Sequence, residues 1–144
     1  MRKVLWNFQS GYAEKEEDII NYLKPEFNRI CFSCIRASII HLLVKSKTVN
    51  HSLSVEQIAR KLGKRHSVII HHLEKLMGWG IVDVVKTYRY GDKEKRSIWG
   101  LNLKYPNLIF DLYNYMTKTF YTINELEEMC NINTNVRMNI RRLS

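Results

Sequence analysis

The chain has 144 residues, an ordinary apolar fraction of 45%, two prolines and six glycines. That composition describes a globular protein rather than a disordered one, and the length suffices for one domain with a small appendage that needs no staple of disulfides or metal. The 23 Lys and Arg against 14 Asp and Glu give a net charge of +9, a balance suited to a polyanionic partner, either nucleic acid or an acidic membrane surface.

In chain order, Met1 to Tyr12 carries Trp6, Phe8 and Tyr12. It is too aromatic for a solvated tail, and it lacks the sustained apolar run of a secretory signal. Glu14 to Leu23 predicts a helix with an acidic first turn, ended or redirected by Pro25. From Phe27 to Lys45 the apolar positions Ile30, Phe32, Ile35, Ile39, Leu42 and Leu43 predict one helix with a broad buried face. Lys45 to Ser52 reads as a polar connector.

Ser54, with Gln57 three positions on, predicts a capping box at the start of a short helix. Ile58, Ala59 and Leu62 form the buried face of that helix, and Gly63 suits its exit. A second helix is predicted over Ser67 to Leu76, with Ile69, His72, Leu73 and Leu76 facing inward, until Gly78 and Gly80 break it. Ile81 to Tyr90 is β-branched and aromatic and reads as a strand. Gly91 to Arg96 is then a charged turn, and Ser97 to Leu103 the returning strand. Pro106 fits the first turn of a helix running to about Phe120 that is apolar on much of its circumference, as in helices that pair with a partner subunit. The tail repeats the earlier rhythm: Thr122 and Glu125 mirror Ser54 and Gln57, and Val136, Ile140 and Leu143 mirror Ile69, Leu73 and Leu76. It is either a second helix-turn-helix-like unit or a helix pair that only packs.

Helix, turn, helix and hairpin in this order form a winged helix-turn-helix, so the expected class is mainly α with a small β-hairpin wing. The segment from Arg36 resembles the winged-helix transcriptional regulators of the ArsR type. I-R-A-S-I-I-H-L-L is similar to that family's first-helix signature. I-A-R-K-L-G followed by I-I-H-H-L-E-K-L is similar to its two-helix motif, and Gly80-Ile81-Val82 to the start of its wing. The resemblance covers roughly residues 30 to 103. It departs from the family pattern at Lys64-Arg65-His66, where an apolar residue followed by Ser or Thr is usual, and at Ile70, where a small polar residue is common.

The expected organisation is a packing or dimerisation segment at 1–28, a DNA-binding domain at 29–104, and a C-terminal dimerisation helix with the tail pair at 105–144. On this reading the protein is a sequence-specific regulator of transcription, a repressor by default. It acts on double-stranded DNA as a homodimer, in the cytoplasm, given the odd number of cysteines. Outward positions on the second helix are the candidate readers: Arg65, His66, Ser67, Ile70 and His71, with Arg65 suited to guanine or phosphate and Ile70 to a thymine methyl. Lys64 and Lys75 suit phosphate, as do Arg89, Lys93, Lys95 and Arg96 on the wing. His72 and His41 read as packed, hydrogen-bonded core histidines. Cys31-x-x-Cys34 is the one metal-like spacing, placing two thiols on one helix face, short of the three or four ligands a thiolate site needs. It leaves open a metal- or ligand-responsive sensor of the same fold, as does a protein-docking winged helix without DNA binding. No enzyme motif occurs, and no cofactor is expected.

Overall fold

A computed structural model describes residues 15–46, 51–90 and 94–130, with the side chains of 88–90, 94 and 95 outside that description. Its elements are α1 (Glu16–Leu23), a 3-10 turn (Lys24–Glu26), α2 (Phe27–Phe32), α3 (Cys34–Lys45), β1 (Ser52–Ser54), α4 (Val55–Leu62), α5 (His66–Gly78), β2 (Val82–Tyr90), β3 (Glu94–Leu101), α6 (Pro106–Thr119) and α7 (Ile123–Cys130). The result is the helical fold with a small antiparallel sheet that the sequence predicts. Among the described residues no single helix is long and apolar enough to cross a membrane.

Ahead of α4 the structure differs from expectation in two ways. The single helix predicted over Phe27 to Lys45 is broken at Ser33, where ψ of 123° takes the backbone out of the helix. The Ser33 hydroxyl then accepts the Arg36 backbone N–H and caps α3, and the chain turns by 109° between the helical stretches on either side. A hydroxyl able to replace a helical carbonyl as acceptor is what permits such a restart. The second difference is β1. The end of the predicted connector is a strand on the outer edge of β3, with Ser52 opposite Gly100, Leu53 opposite Trp99 and Ser54 opposite Ile98. The sheet order is therefore β1-β3-β2.

The hairpin turn is also shorter than predicted, and β3 runs from Glu94 to Leu101 in place of Ser97 to Leu103. Pairing of β2 with β3 continues to Tyr90 opposite Glu94, so Glu94 to Arg96 belong to the ladder, and a bulge at Val85 shifts the register between Val84 and Lys86. An extra residue on one strand strengthens the local twist, here near the base of the hairpin.

The core is one continuous cluster that includes Ile39, Ile40 and Leu43 of α3, Ile58 and Leu62 of α4, Ile69, Leu73 and Leu76 of α5, and Trp99 of β3. Ile19 and Leu23 of α1, Leu108, Leu112 and Met116 of α6, and Leu126 of α7 belong to the same cluster. The apolar stripe of α6 is thus partly covered within the chain. The Glu16 carboxylate accepts both the backbone N–H (2.7 Å) and the side-chain amide (2.8 Å) of Asn107. It satisfies a donor that the first turn of α6 would otherwise leave open, and so joins α1 to α6.

Candidate nucleic-acid interface

The geometry of the two-helix unit is written in its caps. Ser54 Oγ accepts the Gln57 N–H at 3.1 Å and the Gln57 side chain accepts the Ser54 N–H at 2.9 Å, the reciprocal box the sequence predicts. At the other end of α4, Gly63 has φ 64° and ψ 37°, a left-handed conformation that costs a residue with a Cβ about 1–2 kcal/mol. It lets the Lys64 N–H reach back to the Ala59 carbonyl at 3.1 Å. Gly80, with φ 79°, closes α5 in the same way. The Gly80 and Ile81 N–H groups donate to Met77 and Leu76 carbonyls, both at 2.9 Å, a Schellman closure that launches β2. Helix α5 starts one residue earlier and ends two residues later than predicted, at His66 and Gly78.

Seating of α5 is set by Ile69, Leu73 and Leu76, which have no exposed surface. The helical period then turns Lys64, Arg65, His66, Ser67, Ile70, His71, Glu74 and Lys75 outward, and all of them are exposed. These residues form one polar and basic face running from the turn along the helix. Lys61, exposed on α4, extends its charge.

Of the wing cations, Lys93 lies outside the described residues. Arg89 and Lys95 stand opposite each other in the β2–β3 ladder, and their side chains are outside the description. Arg96 is described and exposed, and it is engaged: Glu56, in the first turn of α4, accepts Arg96 on one carboxylate oxygen and Arg60 on the other, the latter at 2.9 Å. One carboxylate thus joins the wing to the start of the helix-turn-helix and offsets the charge of two arginines. Sequence reading missed Glu56 because its partner Arg96 lies 40 positions away.

His72 is half-buried beside the exposed face of α5. Its Nδ1 accepts from Arg36 Nη1 at 3.3 Å, which fixes the proton on Nε2. Burial and the adjacent Arg36 cation depress its pKa to about 4, so the ring is neutral at pH 7 as the acceptor role requires. Arg36 itself is 7% exposed. Its Nε donates to the Ile30 carbonyl at 3.0 Å and its Nη2 to that of Arg29 at 2.9 Å, and the guanidinium lies 5.4 Å from the centroid of Trp79. The carbonyls stranded where α2 breaks are satisfied by a side chain that also reaches α5. An arginine inside an apolar strip is the one sequence signal that pointed to it.

His41 is buried and stacked on Tyr113 (5.8 Å, 9°), with Nδ1 2.7 Å from the Tyr113 hydroxyl. Its Nε2 lies 3.4 Å from the Glu127 carboxylate without a hydrogen bond. Burial holds its pKa below the ordinary value, against the pull of Glu127. The cysteines do not share the face their spacing predicts, because the helix breaks between them: Cys31 is buried and Cys34 exposed. Burial pushes the Cys31 thiol up to about 12. Among the described residues no group of three or more His, Cys, Asp or Glu side chains is arranged to hold a metal. In the tail, Thr122 and Glu125 form the predicted reciprocal box (3.1 and 3.0 Å) at the start of α7. Val136, Ile140 and Leu143, and the tail arginines 137, 141 and 142, lie outside the described residues.

No curated protein and no solved structure matches the chain. Residues 35–84, from the start of α3 through both helices of the turn and into β2, match the family described as "Bacterial regulatory protein, arsR family". Over that third of its length the chain is similar to the arsR family of bacterial regulatory proteins, and the match spans the helix-turn-helix and the start of the wing.

Proposed function

We propose that the protein is a sequence-specific regulator that binds duplex DNA as a homodimer, with α5 in the major groove and the β2–β3 wing on the backbone or minor groove. The observation that carries this reading is the division of α5. Ile69, Leu73 and Leu76 are fully buried beneath it, while Lys64 to Ser67, Ile70, His71 and Lys75 form one exposed face. In that arrangement Arg65, His66, Ser67, Ile70 and His71 meet base edges, and Lys64 and Lys75 meet phosphates. Arg89, Lys93, Lys95 and Arg96 supply the wing's phosphate contacts.

The division of labour is 29–104 for DNA, and 1–28 with 105–144 for assembly. Support comes from the α1–α6 pair, which leaves Tyr22 (54%) and Phe110 (62%) exposed on adjoining helices, surface suited to burial against a second copy. Two copies of α5 then enter successive major grooves about 34 Å apart on a palindromic site, and occlusion of a promoter makes the protein a repressor. An odd number of cysteines, three, suits a cytoplasmic setting. Nothing in the site calls for enzymatic chemistry.

Selection of bound duplexes from a random pool tests this reading as a whole. Enrichment of a palindrome with half-sites one helical turn apart is the expected result. Enrichment of an unpaired half-site refutes the dimer, and no enrichment with weak duplex binding identifies a protein-docking module instead.

A further inference from the structure

The structure holds a cation that lacks an anion. Arg36 is 7% exposed, and no carboxylate among the described residues pairs with it; its hydrogen-bond partners are two backbone carbonyls and a neutral imidazole. A guanidinium has five N–H donors, and three are engaged, leaving two. Burying a guanidinium without a counter-charge is unfavourable, and burial accordingly lowers its pKa.

Arg36 also forms part of the wall of a surface cavity of about 290 Å³, completed by Pro25, Glu26, Asn28, Arg29 and Phe32. The cavity has an apolar side, made by Pro25 and by Phe32, a phenyl ring that is 75% exposed. It has a cationic side as well. The only carboxylate in its wall, Glu26, lies 3.6 Å from Arg29, so the two guanidiniums exceed the acidic charge by one. A planar carboxylate matches a guanidinium that has two N–H groups to give, and a volume just below the usual range for drug-sized ligand pockets restricts the occupant to a small molecule.

We propose that this cavity binds a small carboxylate-bearing ligand, its carboxylate on the Arg36 guanidinium and its apolar part against Phe32 and Pro25. Occupancy then acts on α5. The Nη1 that donates to His72 is on the same guanidinium, so a carboxylate that draws the guanidinium towards the cavity loosens a polar contact to the middle of α5, and DNA affinity falls. That second step rests on the reading of α5 as the DNA-binding helix; the site itself does not.

The test uses the full chain, labelled with nitrogen-15 and titrated with sodium benzoate against sodium chloride. The expected result is a saturable shift of the Arg36 Nε–H and Trp79 indole N–H resonances with benzoate and none with chloride. Arg36→Met removes the donor to two carbonyls and risks the fold, so half-buried Glu26 and exposed Phe32 carry the argument. Glu26→Gln tightens benzoate binding about twofold to fivefold by removing a repelling charge. Phe32→Asp weakens it by roughly tenfold through a lost apolar contact and an added charge. No saturable shift, or shifts indifferent to both substitutions, overturns the site. In parallel, saturating benzoate lowers duplex affinity by about fivefold or more. Binding of benzoate with unchanged duplex affinity overturns the coupling to α5, and failure of the unliganded protein to bind any duplex refutes the DNA-binding reading without touching the site.

Discussion

Gly63 sets the angle at which α5 leaves α4, and its replacement gives a loss that can be worked out in advance. Its φ of 64° and ψ of 37° lie in the left-handed region, where a Cβ costs about 1–2 kcal/mol. Gly63 is exposed, so a methyl group there meets solvent and neither fills nor crowds the core. Alanine also restricts the unfolded chain, which returns about 0.4–1 kcal/mol. The net loss for Gly63→Ala is then about 1 kcal/mol, a fall in Tm of roughly 2–5 °C for a chain of this size. Gly63→Asn loses less, because asparagine tolerates this conformation, and Gly63→Val loses more, because a β-branched residue does not. Thermal unfolding followed by circular dichroism ranks the three variants. Equal melting temperatures for alanine, asparagine and valine would refute the reasoning, since they would mean that the turn carries no left-handed constraint.

Glu56→Gln releases the charge that Glu56 offsets on Arg60 and Arg96. The expected outcome is tighter duplex binding with a steeper salt dependence, by about one unit of slope for each phosphate newly met, and a stability change below about 1 kcal/mol because the pairs are exposed. An unchanged slope in fluorescence anisotropy contradicts it. Folded His72 has a pKa of about 4 against an ordinary 6.5, so the unfolded chain binds more protons between those values. Its contribution to stability is complete above about pH 6.5 and is lost as pH falls towards 4, with His41 shifted in the same direction. Denaturant titrations across that window show a shallower loss in His72→Gln, and an identical pH profile counts against the neutral, hydrogen-bonded ring. Ser33→Ala removes the cap of α3 and costs about 1 kcal/mol by the same titration. No loss would mean that the break does not depend on the hydroxyl.

What the sequence made legible was local. Ser54 with Gln57, Thr122 with Glu125, and Gly63 are signals contained within a few residues, and the structure has each where the pattern puts it. The inward set Ile58, Leu62, Ile69, Leu73 and Leu76 follows from period alone, and fixing it fixes the outward face of α5. The break at Ser33 was hidden because Ile30 and Ile39 are both buried on either side of it, so the apolar rhythm runs through the point where the backbone does not. Strand β1 has three residues and no propensity of its own; it exists because β3 offers an open edge. Arg36–His72 and Glu56–Arg96 join positions 36 and 40 apart, and no spacing rule connects them.

The central claim, that the exposed face of α5 and the wing bind duplex DNA, is tested most directly by measuring duplex affinity as salt is raised. The account predicts that log K falls linearly with log salt, with a slope of about −0.9 for each phosphate neutralised, and that Lys64→Ala and Lys75→Ala each lower that slope by about one unit. Duplex binding that is absent at low ionic strength, or indifferent to salt, would contradict it.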